Sequence, residues 1–128
     1  MKFEDFTKIG KTSEADAYLG LLMVSRSYFH SAHFETKSYA RHKAYNFIFD
    51  VLPDLIDKFG EQWLGFSGKK YSPKIPQQST LPSDTIKMID LILDESDKIY
   101  EKMPSAIRST LDDIVGAFYQ LKYLLSLE

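Results

Sequence analysis

The sequence predicts an all-α protein, a four-helix bundle in which a long loop between the second and third helices crosses the bundle. Three observations predict it. Apolar residues recur at three- and four-residue spacing over four separate stretches, no stretch alternates apolar with polar residues as a half-buried strand does, and two short connections flank one long, proline-rich one.

The first helix is predicted near residues 13 to 34. Ala15, Tyr18, Leu19, Leu22, Phe29 and Ala32 share one face, Ser13 stands as its N-cap, and Glu14 and Asp16 suit the positive end of the helix dipole. Thr36, Lys37 and Ser38 break the pattern, and the Ser38 hydroxyl is placed to cap a second helix near residues 38 to 64. That helix turns Ala44, Ile48, Val51, Leu52, Leu55, Ile56 and Phe59 inward and is expected to stop at Gly65. Pro53 removes one backbone donor inside it and crowds the carbonyl of Phe49, so a kink is expected there.

Residues 65–83 collect Gly68, Pro73, Pro76 and Pro82 and form the crossover loop. The third helix is predicted near residues 84 to 102, with Ile86, Ile89, Leu93 and Tyr100 on one face. Pro104 fits the first turn of a fourth, near residues 104 to 127, whose stripe of Ile107, Leu111, Ile114, Phe118, Leu121 and Leu125 is the most regular in the chain. Residues 1–12 are expected to be a flexible lead-in to a single domain spanning residues 1–128.

Composition narrows the function. A chain of 128 residues supports one buried core. Sixteen basic against eighteen acidic residues leave a formal charge of -2, without the global positive field that draws a protein to nucleic acid or anionic lipid. The absence of cysteine excludes disulfides, thiolate metal sites and cysteine nucleophiles. Neither a signal peptide nor an apolar run long enough for a membrane helix is present, so a soluble, cytoplasmic protein is expected. There is no glycine-rich phosphate loop, serine nucleophile elbow or HExxH motif.

The remaining candidates for chemistry are histidines and carboxylates. All three histidines fall between positions 30 and 42: His30 and His33 on one face near the end of the first helix, and His42 in the first turn of the second. A short turn brings His42 to the same end, where the three imidazoles can converge. Further along, His42, Asp57 and Glu61 lie within about a third of the helix circumference. Histidine with carboxylate is the ligand set suited to iron, zinc or manganese when thiolates are absent. For the carboxylates alone, a solvated helix face is the competing reading. Trp63 is expected in the core or an interface.

The order His30, eleven residues, His42, three residues, Asn46, ten residues, Asp57, three residues, Glu61 resembles the ferroxidase pattern of the DNA-protection-during-starvation (Dps) branch of the ferritin-like superfamily. The resemblance implies a ferritin-like bundle with inter-subunit iron sites. His30 and His42, with Asn46 standing where the family has aspartate, come from one subunit, and Asp57 and Glu61 from its two-fold mate. His33, followed by Phe34, mimics the family's His-Trp pair, so either His30 or His33 is the counterpart, and both are kept with His42, Asn46, Asp57 and Glu61 as the expected metal ligands. A homo-oligomer follows, a dimer at minimum and a twelve-subunit shell if the family's shell forms, with Fe(II) oxidation and storage as the implied activity. The segment from His30 to Gly65, together with LDDIVGAFYQLKYLLSL, is also similar to small uncharacterised ferritin-like proteins of bacteriophages, which implies a bacterial host cell or a phage-associated setting. The family's lysine-rich DNA-binding tail is not evident, and the third and fourth predicted helices contain no histidine for an intra-subunit di-iron centre. Two functions stand side by side: an iron-binding oxidase or storage protein, and a non-catalytic phage structural or accessory bundle whose metal site is degenerate.

Overall fold

A computed structural model describes residues 13–127, and the expected lead-in at residues 1–12 lies outside the described residues. Among the described residues there are four α-helices and no strand: α1 (Glu14–Glu35), α2 (Tyr39–Ser67), α3 (Thr85–Tyr100) and α4 (Ser105–Leu125), with one 3-10 turn at Gln78–Thr80. Three N-termini are closed by side chains, as the sequence predicts for two of them. Ser13 accepts from the backbone N–H of Asp16, Ser38 from that of Arg41, and Asp84 from those of Ile86 and Lys87.

Most helix ends lie within two residues of expectation, but α2 is longer. Gly65 was the expected stop and instead sits inside the helix, exposed to solvent. The left-handed residue that closes the last turn is Gly68, at φ 65, whose N–H donates to the carbonyl of Leu64. A helix-interior glycine costs only ~1 kcal/mol against alanine, so one more turn is readily added when a better terminator follows. The helix also runs through Pro53. The Phe49 carbonyl, which lacks its N–H partner four residues on, accepts a hydrogen bond from Arg26 Nε of α1 at 3.3 Å.

The helices form a square in the order α1, α2, α4, α3, and every neighbouring pair is antiparallel. The α1–α2 and α2–α4 contacts are the broadest. From the end of α2 the crossover loop climbs along α1. Its Lys74 backbone presses on Gly20, where a Cβ would overlap the Lys74 carbonyl oxygen, and higher up the Tyr28 hydroxyl donates to the carbonyl of Pro82 at 2.8 Å.

The core lies between the four helices, with Phe29, Phe59 and Phe118 fully buried among Leu22, Ile48, Leu52, Met88, Ile92 and Leu111. Four of its polar side chains are paired across helices. Ser96 donates to the Ile92 carbonyl at 2.7 Å, which leaves the Tyr18 hydroxyl to donate to Ser96 Oγ at 2.6 Å, and Thr110 donates to Gln62 Oε1 at 2.6 Å. These bonds tie α1 to α3 and α2 to α4 at fixed heights, which an apolar contact does not do.

Two predictions follow from this packing. Gly20→Ala should lower the unfolding free energy by about 1–3 kcal/mol, because the backbone of the crossover loop must move. Gly116→Ala, at an exposed position of α4 with open space around it, should raise it by roughly 0.5–1 kcal/mol. Urea melts of the two variants check both signs. The second concerns alkali. Burial, reinforced by Tyr45, Asp84 and Glu35, pushes the Tyr28 phenol up to about 12, and burial raises Tyr18 as well. The folded state holds these protons more tightly than the unfolded chain. Their contribution to stability is therefore complete below the ordinary tyrosine range near ~10; that of Tyr28 is lost as pH rises through about 12, and that of Tyr18 outlasts it. Urea melts across that range should show the decline, and Tyr28→Phe should make it shallower.

Candidate functional site

The chain reverses between α1 and α2 in three residues, and their hydrogen bonds leave little freedom. The Thr36 N–H donates to the Ala32 carbonyl, Thr36 Oγ1 accepts from the Ser38 N–H, and Ser38 caps α2. This turn sets His33, in the last turn of α1, beside His42, in the first turn of α2. The two imidazoles stack with centroids 3.6 Å apart and planes 25° apart. His33 Nδ1 donates to the His42 carbonyl at 3.0 Å, and His42 Nδ1 donates to the His33 carbonyl at 2.9 Å. A carbonyl oxygen has no proton to give, so each Nδ1 carries a proton. The His33 carbonyl belongs to the last turn of α1, where helix carbonyls lack intrahelical partners, and the His42 ring supplies the missing donor.

His30 stands apart from this pair. Half-buried, it stacks on Phe49 at 4.3 Å and on Phe34 at 5.1 Å, with its centroid 6.0 Å from that of His33. Of the three imidazoles that the sequence places at this end, two face each other, and the third packs beside them in an aromatic layer with Phe34 and Phe49. Aromatic faces attract the ring of a neutral histidine as they attract one another, and the helix spacing puts Phe34 and Phe49 within reach.

The fit of these residues to a metal follows from ring geometry. An ion bound by imidazole lies in the ring plane, ~2.0–2.1 Å beyond the nitrogen. Planes that open by only 25° across a 3.6 Å gap do not meet at that reach, so His33 and His42 do not share an ion in this arrangement. Asn46 is engaged by Asp50, its Nδ2 donating to Oδ2 at 3.0 Å. Asp57 and Glu61 are exposed and lie fifteen and nineteen residues beyond His42 on the same helix, about 22 Å and 28 Å of axial rise. They rim a shallow groove of about 190 Å³ with Leu19, Met23, Ile56 and Tyr71. Among the described residues no group of three or more histidine, aspartate or glutamate side chains is disposed to hold a metal ion. Trp63, expected in core or interface, is half-buried against the core.

Two further features of the histidine end were not foreseen in the sequence. A cavity of about 440 Å³ opens between α1, the crossover loop and the start of α3, lined by Tyr28, Ser31, Glu35, Gln78 and Thr85. An apolar groove of about 310 Å³ lies between the start of α2 and the end of α4, lined by Tyr39, Ala40, Lys43, Ala44, Leu124 and Leu127. The one linear signal for the groove is the start of α2, where Arg41, His42 and Lys43 follow one another and the first turn holds no acidic residue.

Comparison with known proteins adds two matches. A family model described as a family of unknown function, DUF5856, matches residues 33–125. An "uncharacterized 14.6 kDa protein in mobD-ri intergenic region" of Enterobacteria phage T4 is 73% identical over 128 residues, covering the whole of both chains. No solved structure matches the chain. These matches support the resemblance to small phage proteins and carry no ferritin-like or Dps description. No described helix is long and apolar enough to cross a membrane.

The paired rings predict a spectroscopic signature. Nitrogen-15 spectra of the neutral protein should show both His33 and His42 as the Nδ1–H tautomer, with those two ring protons slow to exchange. His42→Ala should cost about 1–2 kcal/mol in urea melts, through the His33 carbonyl left without its donor and the lost stacking. Nε2–H tautomers at both residues would contradict the arrangement.

Proposed function

The chain belongs to the family of unknown function DUF5856, and from the geometry of its histidines we propose that it is a phage-encoded accessory bundle that acts by binding other molecules and not by catalysis. One observation carries the reading: the mutual stacking and Nδ1–H bonding of His33 and His42. Those contacts use the imidazoles to close a helix connection. Asn46 is engaged along its own helix and His30 is sandwiched between phenylalanines, so both are absorbed by packing. The setting is the bacterial host cell or the phage particle, in keeping with a relative from phage T4.

A second reading keeps iron, or zinc or manganese in its place, at a site shared across a two-fold axis. It is favoured by Asp57 and Glu61, which stand exposed at the rim of a groove and are accessible to a second copy. It requires a homo-oligomer, a dimer at least and a twelve-subunit shell if the Dps resemblance extends that far, and it requires the His33–His42 stack to open.

Anaerobic titration of the purified chain with Fe(II), Zn(II) and Mn(II), with light scattering on the same sample, separates the two. On the proposed reading no saturable binding appears, Fe(II) oxidises at the rate of buffer alone, and His42→Ala and Asp57→Asn change neither result. Saturable Fe(II) binding lost in both variants, in an assembly of two or more chains, would establish the shared metal site and overturn the proposal.

A further inference from the structure

We propose that the groove between the start of α2 and the end of α4 is a docking site for an acidic, amphipathic segment of a different protein chain. The inference rests on the reading of this bundle as a binding protein and supplies the chemistry of the partner.

The groove is concave, about 310 Å³, and apart from Lys43 its lining is alanine, leucine and tyrosine. The large side chains around it face solvent: Tyr39 is 73% exposed and Leu127 58%, with Tyr123 at 62% nearby on α4. Apolar surface of this kind at a rimmed concavity is where a partner's apolar side chain gains most by leaving water.

Charge selects the partner. Lys43 stands over the Tyr39 ring at 5.6 Å, and Lys37 lies in the turn just before α2. Among the described residues neither lysine forms an ion pair. Both lie at the start of a 29-residue helix whose first turn contains no acidic residue, so two cations stand beside an apolar slot. A leucine-like anchor in the slot with carboxylates on the adjoining helical turn satisfies both.

A second copy does not meet these requirements. An isologous contact, groove against groove, would set Lys37 and Lys43 of one copy against the same residues of the other. An acidic face of another copy in the groove would be a head-to-tail contact that builds open chains unless its rotation closes a ring. A flat lipid surface leaves the concavity unfilled.

The test titrates the full chain with a helical peptide carrying leucines on one face and glutamates on the other, and with its counterpart carrying lysines in place of glutamates. Fluorescence anisotropy and proton–nitrogen spectra follow both. The acidic peptide should bind, with shifts centred on Tyr39, Lys43, Leu124 and Leu127. Its affinity should fall about tenfold in Lys43→Glu and in Leu127→Asp, and should weaken with added salt. Asp97→Asn on α3 should bind as the parent does, and thermal melts of each variant show whether the bundle stays folded. Absence of binding, equal binding of the lysine peptide, or shifts elsewhere on the bundle would overturn the proposal. So would sedimentation with phosphatidylserine vesicles that Lys43→Glu abolishes, which assigns the groove to a lipid surface. A concentration-dependent mass abolished by the same variant would assign it to a second copy. None of these outcomes bears on the metal titration, so failure of the docking site and failure of the non-catalytic reading are separately visible.

Discussion

Two imidazole rings facing each other 3.6 Å apart, each donating to the other's backbone, fasten the end of α1 to the start of α2, and the bundle takes its register from that point. A connection of three residues permits only a narrow set of angles between the helices it joins. With the pair fastened, α1 and α2 run antiparallel along their whole length, and their far ends come close enough that a Cβ at Gly60 would lie 3.2 Å from Leu19. That closeness puts Arg26 within reach of the Phe49 carbonyl released by Pro53, so a sequence feature that weakens a helix becomes a tie between two.

The same fastening engages the Nδ1 side of both imidazoles. An imidazole whose Nδ1 proton is held by a carbonyl is well prepared to bind metal through Nε2, and each of these two has that preparation individually. In the stacked arrangement the nearly parallel rings direct their Nε2 atoms along planes that do not meet at bonding distance. Preparation of single ligands and convergence of several are different properties, and only convergence makes a metal site.

The bundle is polarised along its axis. Exposed carboxylates of α2, among them Asp50, Asp54, Asp57 and Glu61, lie beyond its first turns, whereas Lys37, Arg41 and Lys43 gather at the histidine end beside the exposed rings of Phe34 and Tyr39. With a net charge of -2 this asymmetry is invisible in the total and arises only when the helices stand side by side. It places exposed aromatic rings and basic side chains together at one end of the molecule.

Much of this was determined by the sequence alone, because it is written in local periods. Helix number and order, the caps at Ser13 and Ser38, the inward stripe of α4 and the crossover after α2 all follow from apolar spacing and from proline and glycine placement, which act over one or two turns. The position of the histidines at one end of the bundle was legible for the same reason. Their mutual orientation was not, since spacing gives the face of a helix and says nothing about the plane of a ring at its edge. Nor was the choice between Gly65 and Gly68 as terminator, where two signals of the same kind stand three residues apart and the closing hydrogen bond decides. The carboxylates Asp57 and Glu61 shared an angular stripe with His42, yet axial rise carried them many turns away. The groove between α2 and α4 could not be assembled from the chain, because its two walls lie some eighty residues apart in sequence and meet only when tertiary packing sets the last turn of one helix against the first turn of another.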